Sequence, residues 1–158
     1  MAIDFYFDSI CNDINNFDCG HRVFNDYLLH DDDISVIHYV LDVNSDELIA
    51  YFALATSALL VGDPSDLKGS PAIELKMFAL DKKYRGSGLA QSLLEKIVDL
   101  IIYYSSNYIG AEAILLYSVP VDHVLRLYEQ NGFEYIDNYL NAFRSEFTEG
   151  CIPMVREL

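Results

Sequence analysis

Ala72-Ile73-Glu74-Leu75-Lys76-Met77-Phe78-Ala79-Leu80, continued by Asp81-Lys82-Lys83-Tyr84-Arg85-Gly86-Ser87-Gly88-Leu89-Ala90, is the stretch from which the fold can be read. Ala72 to Leu80 is rich in apolar side chains and reads as a strand buried along much of its length. Asp81 to Arg85 forms a turn. From Gly88 the apolar period changes, and Leu89, Leu93, Ile97, Leu100 or Ile101, and Tyr104 fall on one face of a long helix. Ala113 to Tyr117 then reads as a second, short strand. A strand, a crossover helix and a second strand make a right-handed βαβ unit, whose two strands must lie parallel.

Upstream, Ile3 to Phe7 alternates weakly as a first strand, and Arg22 to Leu29 sets Val23, Phe24, Tyr27 and Leu28 at helical spacing. Asp31-Asp32-Asp33 ends that helix. Ser35 to Val43 and Leu48 to Leu60 carry β-branched, aromatic and aliphatic residues, with Asn44-Ser45-Asp46-Glu47 as turn formers between them, so they read as an antiparallel hairpin. A loop through Asp63-Pro64-Ser65-Asp66 and Gly69-Ser70-Pro71 leads into the central strand. Downstream, Asp122 is placed to cap a second helix through Val124, Leu125 and Tyr128, which Asn131-Gly132 stops in a left-handed turn. Phe133 to Ile136 and a stretch near Ile152 to Val155 complete the sheet. The expected class is α+β, with N-terminal antiparallel strands, a central βαβ unit and a C-terminal hairpin. The absence of repeats or Pro/Gly-rich linkers points to a single domain over residues 1–158.

The bulk properties narrow the function. At 158 residues and 52% hydrophobic content, the chain is long enough for one sizeable core. Its longest apolar stretch, Leu48 to Val61, is interrupted by Thr56 and Ser57 and falls short of the roughly 20 residues that span a bilayer. Met1 to Tyr6 lacks the basic start and apolar run of a secretion signal, which makes the cytoplasm the expected compartment. Cys11, Cys19 and Cys151 form no CxxC pair and no metal-ligand spacing, and they read as free thiols with no metal site. A net charge of −15 repels polyanions, which argues against a nucleic-acid partner, and draws in cations. The charge is uneven: residues 1–66 hold 13 acids against the single base Arg22, whereas residues 72–96 hold three acids against five bases.

That basic segment coincides with the strand-to-helix turn. A glycine-containing turn that opens a helix leaves backbone N–H groups unpaired and converging, which is how proteins hold phosphates. Ser87, Gly88 and Leu89 stand at that point; Gly86 and Gly88 allow left-handed backbone, while Lys82, Lys83 and Arg85 add positive charge.

Phe78-Ala79-Leu80-Asp81, then Tyr84-Arg85-Gly86-Ser87-Gly88-Leu89-Ala90 and Leu93-Leu94, resemble the central motif of the GNAT superfamily of N-acetyltransferases, Arg/Gln-x-x-Gly-x-Gly/Ala. Forty residues past Gly88, Leu127-Tyr128-Glu129-Gln130-Asn131-Gly132-Phe133 is similar to the second GNAT motif, a tyrosine, three residues, Gly and Phe. The resemblance implies a GNAT-like mixed sheet and acetyl-coenzyme A as co-substrate. It implies that the main-chain amides of Arg85, Gly86, Ser87, Gly88, Leu89 and Ala90 bind the coenzyme pyrophosphate, and that Phe78, Ala79 and Leu80 pair with the pantetheine arm. One departure is Val121, where many relatives carry an asparagine seven residues before the motif tyrosine.

Acetyl transfer needs a neutral amine within roughly 3 to 3.5 Å of the thioester carbon, a route for its proton, and a donor for the leaving thiolate. Tyr128, by the resemblance, lies near the coenzyme sulfur, and its phenol carries one proton to give. Glu74 is the candidate base, because some histone-acetylating GNAT enzymes place a catalytic glutamate at the equivalent strand position and apolar neighbours raise a carboxyl pKa. The alternative is that Glu74 faces solvent or pairs with Lys76 on its own side of the strand. His38 and His123 read as packing or surface residues.

Three functions follow for comparison. The first is an N-acetyltransferase acting on a primary amine of a cationic small molecule, peptide or protein. The second is a GNAT toxin that acetylates aminoacyl-tRNA, a branch that Phe17-Asp18-Cys19-Gly20 and the following helix resemble, though ten Lys and Arg residues are few for tRNA. The third is a catalytically silent acyl-coenzyme A binding module. Tyr139, Leu140, Phe143 and Phe147 suggest an interface and are compatible with a homodimer.

Overall fold

The computed structural model describes residues 3–30, 34–63, 65–136 and 150–158. Among them the chain runs β1 (Phe5–Asp8), α1 (Arg22–Leu29), β2 (Val36–Asp42), β3 (Leu48–Asp63), β4 (Asp66–Leu80), a 3-10 turn (Lys82–Tyr84), α2 (Leu89–Asn107), β5 (Ala113–Ser118), α3 (Asp122–Gln130), β6 (Glu134–Tyr135) and β7 (Ile152–Glu157). The strands form one sheet in the order β1-β2-β3-β4-β5-β7-β6. β1, β2 and β3 pair antiparallel, β4 and β5 pair parallel around the α2 crossover, and β7 pairs antiparallel with both β5 and β6. The class is the α+β arrangement expected from sequence, with the last strand lying between β5 and β6.

Two compact units make up the chain: Met1–Ala55 with Lys76–Leu93, and Thr56–Leu75 with Leu94–Leu158. In the first, α1 lays Tyr27 and Leu28 into a core with Phe17, Leu41, Tyr51 and Met77. The Tyr51 ring stacks on Tyr27 with centroids 6.2 Å apart and meets Phe17 edge-on, and its hydroxyl donates to the Phe24 carbonyl at 2.6 Å. Val23, expected on the buried face of α1, is instead 51% exposed. In the second unit, α2 buries Leu94, Ile97, Val98 and Ile101 while β5 buries Ala113 to Leu116. Of the two residues the helical period offered, Ile101 is the buried one and Leu100 is half-buried.

Two local expectations are corrected. Gly69-Ser70-Pro71 is part of β4, which begins at Asp66, rather than loop. Long-range partners hold it extended: the Pro71 carbonyl accepts from the Glu112 amide at 2.8 Å, and the Ser70 hydroxyl donates to the Glu112 carboxylate at 2.7 Å. Asp122 is the first residue of α3 and Val121 is its cap, without a side-chain cap bond; Asp122 still favours the helix start by placing negative charge in the first turn. Asp31 to Asp33 and the aromatic and aliphatic residues Tyr139, Leu140, Phe143 and Phe147 lie outside the described residues. Among the described residues no helix is long and apolar enough to cross a membrane.

Candidate active site

The turn between β4 and α2 is built around Asp81. Its carboxylate is almost fully buried and accepts from the amides of Asp18 and Lys83, each at 3.0 Å, while its own amide donates to the Ile49 carbonyl at 2.9 Å. Tyr84 and Arg85 then fold back onto the carbonyls of Asp81 and Lys82. Gly86 and Gly88 follow, both at φ 75°, a conformation that costs little only without a Cβ. A Cβ added at either would meet nothing within 4 Å, so backbone angle rather than crowding selects glycine here. The Leu89 amide is 3.4 Å from the Ser87 hydroxyl, and the Ser92 amide reaches the Gly88 carbonyl at 3.5 Å. Among the described residues the amides of Gly86, Ser87, Gly88 and Ala90 have no acceptor. They stand at the positive end of a 19-residue helix.

The cations of the turn are committed elsewhere. Lys82 pairs with Asp18 at 2.5 Å, Lys83 pairs with Glu47, and the Arg85 guanidinium donates to the Cys19 carbonyl. Of the positive charge expected from these three side chains, that of Lys82 and Lys83 is balanced by acids of the N-terminal segment, while Arg85 bonds only a carbonyl. The carboxylate of Asp18 also accepts from the Gly20 amide at 2.8 Å and from Asn25 Nδ2 at 2.9 Å. The Lys82 hydrogen bond, then that from Asn25, hold the Asp18 carboxyl well below the usual carboxylate range. Phe17-Asp18-Cys19-Gly20 is thus a structural partner of the turn. Sequence reading missed this network, although an aspartate two residues before Gly20, and another two before Lys83, are both local cues for side-chain capping of a turn.

Along β4, Ile73, Leu75, Met77 and Ala79 are buried while Glu74, Lys76, Phe78 and Leu80 are half-buried, so the two sets take opposite faces. Glu74 therefore shares a face with Lys76, and it stands opposite Leu115 in the parallel ladder. That ladder runs from Ala72↔Ala113 to Leu75↔Leu116, and Phe78, Ala79 and Leu80 lie beyond its last pair.

Tyr128 sits on the last turn of α3 with 8% of its surface exposed. The helix closes over it in a Schellman turn: the Phe133 amide donates to the Tyr128 carbonyl at 3.2 Å, and the Gly132 amide to Glu129 at 3.1 Å with φ 84°. The Phe133 ring meets the Tyr128 ring edge-on, 5.7 Å between centroids. Arg156 donates to the Asn131 carbonyl at 3.0 Å, adding positive charge at the helix end. Burial raises the Tyr128 phenol well above its ordinary value, with a smaller contribution from Cys151. Among the described residues its hydroxyl makes no hydrogen bond.

The remaining titratable candidates are structural. Cys19 is buried, its thiol donates to the His21 carbonyl, and burial pushes its pKa up. His38 stacks on Phe52 with centroids 4.7 Å apart, and His123 is exposed. Among the described residues no three His, Cys, Asp or Glu side chains gather as metal ligands.

Comparison with known proteins agrees with this geometry. The chain is similar to a solved structure described as a bacterial toxin, 20% identical over 99% of this chain and 92% of that one, with a TM-score of 0.75. It is also similar to AtaTR bound with AcCoA, 16% identical over 98% and 94% of the two chains, TM-score 0.75. AtaT complexed with acetyl-methionyl-tRNAfMet matches at 18% identity over 86% and 91%, TM-score 0.68. Among curated protein sequences none matches. The family model described as "Acetyltransferase (GNAT) domain" matches residues 35–135, a span that includes β4, the glycine turn, α2 and α3. The chain belongs to this GNAT family and is an N-acetyltransferase that depends on acetyl-coenzyme A.

Proposed function

We propose that the protein transfers acetyl from acetyl-coenzyme A to a primary amine of a cationic small molecule, peptide or protein, by direct attack within a single domain spanning residues 1–158. The observation that carries this is the row of unpartnered amides at Gly86, Ser87, Gly88 and Ala90. They offer the coenzyme diphosphate converging donors, with Arg85 and Leu89 completing the turn. Phe78, Ala79 and Leu80 lie past the β4–β5 ladder and supply backbone groups for the pantetheine amides. Glu74 accepts the proton of the incoming ammonium, directly or through water. As the amine nitrogen bonds to the carbonyl carbon and the C–S bond breaks, Tyr128 gives its phenolic proton to the thiolate, the second proton that the nitrogen loses as the amide forms passes to water, and the phenolate is reprotonated from water. The net charge of −15 favours a cationic acceptor by long-range attraction.

The test is turnover of acetyl-coenzyme A with a panel of amines. Tyr128→Phe is expected to reduce kcat by about 100-fold, in the range of general-acid contributions, with coenzyme affinity changed less than about twofold. Equal turnover in the two proteins removes Tyr128 from the mechanism.

A second reading, acetylation of aminoacyl-tRNA, is favoured by near full-length similarity to AtaT solved with acetyl-methionyl-tRNAfMet. The acidic surface opposes it, since phosphate contacts require Lys and Arg. Arrest of a cell-free translation extract by the protein and acetyl-coenzyme A would select this reading.

A further inference from the structure

Apart from the proposed chemistry, Asp18 occupies a place that neither GNAT motif includes. It lies in the loop leading into α1, yet it bonds to the glycine turn through three different groups. Its carboxylate takes the Lys82 ammonium at 2.5 Å, its carbonyl takes the Lys82 amide at 2.9 Å, and its amide donates to Asp81 at 3.0 Å. The same carboxylate reaches forward into α1, accepting from Asn25 Nδ2 at 2.9 Å, and Asn25 returns a bond to the Cys19 amide at 2.9 Å. Arg85 adds a strut to the Cys19 carbonyl, passing so close to Gly20 that a Cβ there would lie 2.9 Å from Nη2. The first turn of α1 and the glycine turn are therefore joined by a hydrogen-bonded polar network.

We propose that Asp18 is a positioning residue for acetyl transfer, which makes α1 and the glycine turn one rigid body, so that coenzyme bound at Gly86 to Ala90 orders α1. Binding that removes motion from one part of such a network removes it from the part joined to it, and the coupling runs equally in both directions. The helix start lacks local capping: His21 makes no side-chain cap bond and the first turn holds no acid, so its polar anchors are the Tyr51 hydroxyl on the Phe24 carbonyl, the exposed Arg22–Asp26 pair and the Asp18–Asn25 network. An amine that touches α1 then meets a preordered surface once coenzyme has bound. This inference rests on the coenzyme reading of the turn.

The experiment pairs steady-state kinetics with amide hydrogen exchange, using the full chain and acetyl-coenzyme A. In the wild type, coenzyme should slow exchange both at residues 86–90 and at residues 22–29. In Asp18→Ala, slowing at 86–90 should persist, slowing at 22–29 should be lost, and the KM for acetyl-coenzyme A should rise about tenfold with kcat within about twofold. Asp18→Asn, which keeps an acceptor for the Gly20 amide, should fall between the two. Unchanged KM with equal protection of 22–29 in wild type and Asp18→Ala overturns the proposal. Should Asp18→Ala not fold, Lys82→Met supplies the same comparison from the other end of the pair, and an unchanged KM with intact protection of 22–29 overturns it equally. Coenzyme that binds the wild type without slowing exchange at 86–90 overturns the reading of the turn itself, a different result from loss of coupling alone.

Discussion

The amide of Asp18 donates to the buried carboxylate of Asp81 at 3.0 Å, across 63 positions of sequence. The second oxygen of Asp81 takes the Lys83 amide, so both acceptors are used by main chain. Asp81→Asn exchanges one of these acceptors for an NH2 group that faces an N–H. The expected cost is about 2 to 3 kcal/mol of folding free energy, the range for stranding a buried donor beside a second one. Denaturant unfolding of the two proteins measures it, and a loss under about 0.5 kcal/mol, the level of an ordinary surface change, contradicts the arrangement.

Gly20→Ala probes the same junction from the other side. Gly20 has φ 81°, and an added Cβ would crowd the Arg85 guanidinium. A loss of about 1 to 3 kcal/mol is expected from the backbone conformation, with displacement of Arg85 from the Cys19 carbonyl adding to it. Because the two residues share one contact, Arg85→Ala in that background should cost less than it does alone. A double-mutant cycle by thermal melting reads this directly.

The buried phenol of Tyr128 has a consequence for pH. Its pKa lies well above the ordinary value near 10. Tyr128 therefore stays protonated, and able to donate, throughout the neutral and mildly alkaline range. The profile of kcat should show no decline from loss of this proton below about pH 10. A descending limb near pH 8 that disappears in Tyr128→Phe contradicts both the burial and the assignment.

His38 makes stability depend on pH in the opposite region. Burial against Phe52 lowers its pKa, partly countered by the Val36 carbonyl at 3.2 Å. The folded state therefore holds the ring neutral where the unfolded chain, titrating near 6.5, already takes up a proton. The stability contribution is complete above that value and is lost as pH falls from about 6.5 towards the lower folded pKa. Tm measured from pH 7.5 to 5 should fall less steeply in His38→Gln than in the wild type.

Where local pattern decides structure, the sequence could be read closely. The spacing of Phe24, Tyr27 and Leu28 delimits α1 at Arg22–Leu29, and Asn131-Gly132 ends α3 as a left-handed stop. The GNAT motif residues fall on the turn and helix that the apolar period had already outlined. What escaped depends on partners far along the chain. Gly69-Ser70-Pro71 has loop composition, yet it is held extended by Glu112. The bases of the turn looked available as charge because Asp18 and Glu47, their partners, lie more than 30 residues away. Phe78 to Leu80 and Glu74 occupy β4 as expected, on alternating faces that follow from strand period alone.

The ion pairs of Lys82 and Lys83 also bear on how fast coenzyme would arrive at the proposed turn. A diphosphate approaching this protein meets a net charge of −15, and of the local cations Lys82 and Lys83 are already matched by Asp18 and Glu47, while Arg85 is turned to the Cys19 carbonyl. Encounter is therefore retarded by repulsion, and screening by added salt should quicken it. In stopped-flow mixing, the association rate ought to climb between low and physiological ionic strength, the reverse of the trend for an anion steered to a basic cleft.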